Sequence, residues 1–135
     1  MSPMPGNVPP PRVVVAMAEQ WPRALLRAAL LEAGYDAVGA RSVAEALAQG
    51  RGDPERDPIK LLVVDRPVLV GAERFLEELV SLHGRPICLL VAPAGEVAPE
   101  GPWREVLRRP VSIGEIVEAV RRHLPLASTG SGSIE

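Results

Sequence analysis

A chain of 135 residues that is 47% apolar has room for one domain with a proper core, plus tails. Its formal charge of −2, from 15 basic and 17 acidic residues, gives no electrostatic case for nucleic acid or an anionic membrane. No apolar run approaches bilayer-spanning length and residues 1–11 lack a secretory pattern, so a cytoplasmic protein is the expectation.

Aromatic residues make up only 3% of the chain, so the core must be aliphatic. The single cysteine, Cys88, sits in an apolar run, cannot form an internal disulfide, and reads as a small buried hydrophobe.

In chain order, residues 1–11 hold five prolines and no apolar periodicity, the composition of a disordered tail. Residues 12–17 read as a first buried strand and residues 18–20 as a turn. Pro22 suits the first position of a helix reaching about Ala33, with Leu26, Ala29, Leu30 and Ala33 as its apolar stripe and Gly34 as its cap. Residues 36–40 form a short second strand. Ser42 and Glu45 have capping-box spacing, opening a short helix that ends near Gly50. Residues 51–58 are a charged loop with two prolines.

The run Leu61-Leu62-Val63-Val64 reads as a strand buried on both faces, and it ends on a carboxylate, Asp65. Arg66 and Pro67 break the pattern, so Asp65 should sit where the strand leaves the sheet. A third helix is expected over 71–82, with Ala72, Phe75, Leu76, Leu79 and Leu82 on its buried face and Gly84 as its cap. Residues 87–91 are a fourth buried strand. Residues 92–102 carry three prolines and two glycines and read as loop, with Trp103 following as an odd aromatic that either covers the core or offers a contact. Residues 106–108 are a short fifth strand. Ser112 and Glu115 repeat the capping-box spacing ahead of a helix striped by Ile113, Ile116, Val117, Val120 and Leu124, which Pro125 stops. Residues 126–135 are a Ser/Gly-rich tail or linker.

Alternating strands and helices with short connections predict a flavodoxin-like, doubly wound α/β domain over 12–125. Its five parallel strands should run in the order 2-1-3-4-5, with the helix between strands 4 and 5 shortened or replaced by loop. Right-handed crossovers then bring Met17, Ala18 and Glu19 close to Asp65, with Val91 and Arg109 on the same sheet edge.

With the strand ending Val63-Val64-Asp65, Gly34-Tyr35 after the first helix, and Leu107-Arg108-Arg109-Pro110 before the last, the chain resembles the receiver domain of response regulators in two-component signalling. The resemblance spans roughly residues 12–124 and implies a role for each position. Asp65 is the phosphoacceptor equivalent. Met17 and Ala18 occupy the acidic pair that helps hold Mg²⁺ in the family. Val91 stands where a Thr or Ser hydroxyl reads the phosphoryl group, Arg109 where a lysine stabilises its charge, and Val106 where many members carry a switching aromatic.

These departures are large. Mg²⁺ demands hard oxygen ligands, and neither a thioether nor an alanine supplies one. Glu19 is the possible substitute carboxylate, one residue out of register. Phosphoryl transfer relies on positioning and charge neutralisation, so losses at both metal and switch positions point to a pseudo-receiver. An Asp65–Arg109 ion pair is expected in the old phosphorylation site, with the guanidinium fork offering two hydrogen bonds. Arg66 and Arg108 are expected as solvated neighbours, and His83 and His123 as exposed or carbonyl-capping residues without metal-ligand spacing.

The expected function is a receiver-like module acting by phosphorylation-independent protein–protein interaction, not an enzyme. No cofactor is expected, and the expected partner is a protein such as a histidine kinase or an output domain. Two alternatives are an atypical phosphorylatable regulator using Asp65, with Mg²⁺ held through Glu19, and a small-molecule or flavin-binding protein of the same topology. Against the latter, the turn Met17-Ala18-Glu19-Gln20 lacks a phosphate-cradling composition, and an enzyme would need a second acid–base group beside Asp65 and Arg109. A homodimer is compatible with the sequence but nothing in it supports one.

Overall fold

The computed structural model describes residues 9–50 and 58–126. The loop expected over 51–58 and the two tails, except for Pro9–Pro11, Pro58 and Leu126, lie outside the described residues.

Five strands form one parallel sheet: β1 (Arg12–Ala16), β2 (Asp36–Ala40), β3 (Ile59–Asp65), β4 (Ile87–Ala92) and β5 (Trp103–Arg108). Their order is β2-β1-β3-β4-β5, as the alternating pattern requires. Helices α1 (Gln20–Ala33), α2 (Val43–Gly50), α3 (Glu73–Leu82) and α4 (Ile113–His123) cover the sheet, and a 3-10 turn over Arg66–Leu69 follows β3.

Successive side chains of β1, β3 and β4 point to opposite faces, so each strand feeds two cores. Val14, Ala16, Leu62, Val64 and Leu90 pack with α2 and α3 residues such as Leu47 and Leu79. Val13, Val15, Leu61, Val63, Leu89 and Val91 pack with Leu26 and Leu30 of α1 and with Ile116 and Val120 of α4. Both faces are aliphatic, which is why the central strands read as unbroken apolar runs.

Two connections follow their sequence signals closely. Gly34 ends α1 in the left-handed conformation at φ 107°, where a Cβ would also stand 2.9 Å from a Leu126 methyl. Ser112 and Glu115 form the full reciprocal capping box of α4. Tyr35 then ties the two helices together, its buried hydroxyl donating to the Leu124 carbonyl at 2.7 Å.

Other expectations change. Helix α1 begins at Gln20, placing Pro22 in the first turn but not at its first residue. The Ser42–Glu45 box is only half made. The Glu45 amide donates to Ser42 Oγ at 3.0 Å, but the Glu45 carboxylate accepts from the Arg41 amide instead of the Ser42 amide. Helix α3 starts at Glu73, after the 3-10 turn, and buries Leu76 and Leu79. Phe75 and Leu82, seven residues apart, lie at the rim of that face and stay substantially exposed.

No helix lies between β4 and β5. Strand β5 starts at Trp103, three residues earlier than its sequence pattern indicates, with a register slip between its pairings to Cys88 and Leu89. The Trp103 indole packs partly against the α2–α3 core and donates to the Pro99 carbonyl at 3.0 Å. Gly101 makes this possible, since a Cβ there would meet the indole nitrogen at 2.6 Å. Arg108 pins the same loop by donating to the Pro93 and Glu96 carbonyls. Beside the loop an open groove of about 920 Å³ runs between Pro99–Pro102 and the Leu69, Leu76 and Val80 side chains.

His83 is the other surprise. It is not exposed, and it caps α3 only through its backbone amide, which donates to the Leu79 carbonyl: the ring is buried, and Nδ1 accepts from the Ile59 amide at 2.9 Å, tying the end of α3 to the start of β3. That bond requires a neutral ring with its proton on Nε2, which is buried without a partner. Burial, with a smaller contribution from the Arg12 charge, holds the His83 pKa below its ordinary value. The folded chain therefore resists a proton that the unfolded chain accepts below about pH 6.5. This contribution to stability is complete above that pH and is lost as pH falls toward the depressed folded value. Thermal melts of the wild-type chain should shift downward from about pH 7.5 to about pH 5 more steeply than those of His83→Gln; equal slopes would rule out this coupling.

Candidate functional site

The carboxyl ends of the central strands bring the sequence-derived positions together. Asp65 ends β3 opposite Val91 of β4. Ala16 of β1 pairs with Val64, so Met17 follows at the level of Asp65, and the Met17 amide donates to the Ala40 carbonyl at 3.0 Å. Leu107 pairs with Val91, and the Arg109 amide extends that edge by donating to the Ala92 carbonyl at 2.9 Å. The Arg109–Pro110 peptide bond is cis.

Asp65 is 5% exposed, although the side chains around it are largely apolar. A buried carboxylate must be paired or hydrogen-bonded. Both occur at one oxygen: Arg109 Nη2 donates to Asp65 Oδ1 at 2.8 Å, and the Arg66 amide donates to the same atom at 3.1 Å. The second bond makes Asp65 the N-cap of the 3-10 turn. The ion pair stands as expected, but the guanidinium does not grip as a fork. One nitrogen engages one oxygen, Oδ1, which also accepts from the cap amide. The Arg109 side chain is 42% exposed, so the pair is buried on the acidic side and wet on the basic side.

Met17 and Val91 are fully buried and pack in the core shared with α1 and α4. Val106 is half-buried and packs on the opposite core. Ala18 and Glu19 are exposed, and Glu19, at the start of α1, makes no side-chain cap. A residue that the sequence reading passed over stands here. Arg23 Nη1 donates to the carbonyls of Met17 at 2.9 Å and Ala18 at 3.2 Å. Its signal was available only as a basic residue one turn into the helix, with nothing local to show that it folds back.

The donor set does not fit Mg²⁺. The acidic-pair position offers a buried thioether and a methyl group, its backbone oxygens already carry a guanidinium, and one Asp65 oxygen carries another. Among the described residues, no group of three or more His, Cys, Asp or Glu side chains could hold a metal ion.

The remaining candidates fall elsewhere. Arg66 does not compete for Asp65 through its side chain: its Nε is buried and lies 3.9 Å from a Glu96 oxygen. Arg108 binds loop carbonyls, not Asp65. His123 is tied down, with Nε2 2.7 Å from Glu105 Oε1, and Arg122 holds both oxygens of that carboxylate at 2.9 Å. The bonds from His123 and Arg122 hold the Glu105 carboxyl below its ordinary pKa. Burial pushes the Cys88 thiol up to about 11, which leaves it unreactive at neutral pH.

No protein-family model and no curated protein matches the chain. Solved structures do. A CheY-like response regulator receiver domain protein from Methanospirillum hungatei JF-1 superposes with TM-score 0.67 at 18% identity, covering 85% of this chain and 94% of that one. Chemotaxis protein CheY4 of Vibrio cholerae gives 0.66 at 21% identity, over 85% and 99%. A putative pilus assembly protein from Burkholderia thailandensis E264 gives 0.61 at 24% identity, over 83% and 96%. The chain therefore has the fold of a response-regulator receiver domain.

The Asp65–Arg109 bond is open to a double-mutant cycle. Arg109→Gln should destabilise the chain by about 1–3 kcal/mol, because it leaves a buried carboxylate with one backbone donor. Asp65→Asn and Arg109→Gln should couple by about 1 kcal/mol, a value reduced by the exposure of the arginine. Additive losses in urea titrations would mean that the pair contributes nothing.

Proposed function

We propose that this chain is a signalling module of receiver fold that acts through protein–protein contact without Mg²⁺-dependent phosphorylation. The observation that carries the reading is that, among the described residues, the only cation on Asp65 is the Arg109 guanidinium, 2.8 Å from Oδ1, while buried Met17 and exposed Ala18 offer no carboxylate to hold a metal beside it. Phosphoryl transfer to a carboxylate requires a free oxygen in line with the donor and cations on the transferring group. Here the one cation on Asp65 belongs to the protein, and buried Met17 replaces a carboxylate.

The same contact gives the module a single state. Arg109 joins the end of β3 to the connection between β5 and α4, and Asp65 also caps the 3-10 turn. Three elements that meet at the strand ends are thus held by one carboxylate. Neither Val91 nor Val106 has a polar group with which to sense a change there. The partner is a protein, such as a histidine kinase or an output domain, that recognises this fixed shape. The solved structures of similar fold include a chemotaxis protein, pilus assembly proteins and a hybrid-kinase receiver, so the fold itself serves many outputs.

Incubation of the full chain with acetyl phosphate and Mg²⁺, read by intact mass, should leave the mass unchanged. A stoichiometric phosphoryl adduct that disappears in Asp65→Asn would establish a working, if atypical, receiver instead. Arg109→Lys gives a further readout: it should still yield no adduct, because the acidic pair remains absent at Met17 and Ala18.

A further inference from the structure

Every strand-to-strand connection of the sheet carries a helix except the one between β4 and β5. Beside that connection runs the open groove of about 920 Å³ between α3 and the Pro99–Pro102 loop. Leu69 and Leu76 form its floor, and half-buried Val80, Pro86 and Pro99 line its walls. From Glu73 to Gly84 it follows α3 for about three helical turns. A helix packed at the usual spacing of about 8–10 Å from α3 would lie over β4 and β5, where only the loop and Trp103 cover the sheet.

The rim of the groove is charged and unpaired. Helix α3 returns from the carboxyl ends of the strands to their amino ends. Glu73 and Glu77 therefore line the half nearer the carboxyl ends, and Arg85, just before β4, lines the amino end. Arg104, near the start of β5, stands at the amino end too. All four are exposed, and among the described residues none has an ion-pair partner. Glu96, 3.9 Å from the Arg66 Nε, offsets that arginine at the carboxyl end, while Arg85 and Arg104 outweigh Glu100 at the amino end. The groove is thus acidic toward one end of the sheet and basic toward the other.

We propose that this groove takes an amphipathic helix of a partner protein, lying alongside α3 and parallel to it, where the chain has no helix of its own. The apolar stripe of that helix rests on Leu69, Leu76 and Val80. The parallel direction sets the positive end of its dipole beside Glu73 and the negative end beside Arg85 and Arg104. Cationic side chains in its first half and carboxylates in its second complete the match. An extended peptide is a poorer occupant. It needs main-chain partners, and Pro86, Pro99 and Pro102 have no amide hydrogen to give, whereas a helix satisfies its own backbone. The inference deepens the reading of a contact-driven module and rests on it in taking the ligand to be a protein.

Two end-capped peptides of about 16 residues, identical in composition, serve as probes. Both carry a leucine stripe on an alanine helix. One has lysines in its first half and glutamates in its second, and the other has the reverse. The reversed peptide is the better isolated helix, so a preference for the first comes from the protein. In the full chain carrying Trp21→Phe, Trp103 is the one remaining tryptophan. Its fluorescence should change saturably with micromolar amounts of the first peptide, which binds about 10-fold tighter than the reversed one. Glu77→Lys with Arg104→Glu, exposed substitutions checked by circular dichroism, should invert that preference. Equal affinities, no saturable change, or a preference unchanged in the double variant overturns the proposal. Adding Asp65→Asn should leave the affinity for the first peptide unchanged. A phosphoryl adduct in the acetyl phosphate experiment would overturn the reading of Asp65 and leave the peptide result standing.

Discussion

A carboxylate at the end of a buried strand imposes an obligation on everything around it. Asp65 is almost wholly removed from water, and an ionised group in that position survives only with donors aimed at it. Where a metal ion and a set of acidic neighbours would satisfy this in a phosphorylatable site, here an arginine and a backbone amide do. Once Arg109 takes that place, the other substitutions become compatible with a stable core. Met17 and Val91 fill space as hydrophobes, and no neighbouring carboxylate needs a cation. A second guanidinium, that of Arg23, lies over the carbonyls of the turn where an acidic pair would face the metal. The edge that would be negative and metal-binding carries two arginines instead.

The missing helix between β4 and β5 is a second departure with a definite replacement. Trp103 supplies part of the apolar surface that a helix would lay against the sheet, and Arg108 ties down the loop that crosses there. Both residues come from β5 itself, so this edge strand stabilises its own covering. The cover is thinner than a helix, which leaves the groove beside Leu69, Leu76 and Val80. On the opposite layer α1 and α4 are fastened by Tyr35 and by a shared aliphatic core, and α1 keeps a second apolar face in solvent.

Much of the site is legible in the sequence. The positions of Met17, Asp65, Val91 and Arg109 follow from strand ends in a parallel sheet, where topology alone brings distant residues to one edge. What could not be read was how the groups share donors. That Arg109 grips with a single nitrogen, on the same Oδ1 that caps the 3-10 turn, is announced by no spacing. Arg23 and His83 were missed for a related reason. Each acts on backbone groups of another element, and a carbonyl or amide looks alike at every position of a sequence. Phe75 was misplaced because it lies about 100° round the helix from Leu76, which sets it at the rim of the face that buries Leu76 and Leu79.

The sequence by itself determined the sheet order, the two aliphatic faces, the boundaries marked by Gly34 and Ser112, that the helix before β5 is shortened or replaced by loop, and the meeting of Asp65 with Arg109. These are matters of periodicity, chain punctuation and topology, which are local or follow from strand alternation. Only the tertiary structure decided which oxygen of Asp65 is shared, that Trp103 opens β5 and shelters its own loop, that His83 is buried against the Ile59 amide, and that α1 leaves Trp21, Leu25 and Leu31 in water. Those outcomes rest on side chains meeting backbone or solvent across the fold, and the chain's pattern does not record which partner arrives first.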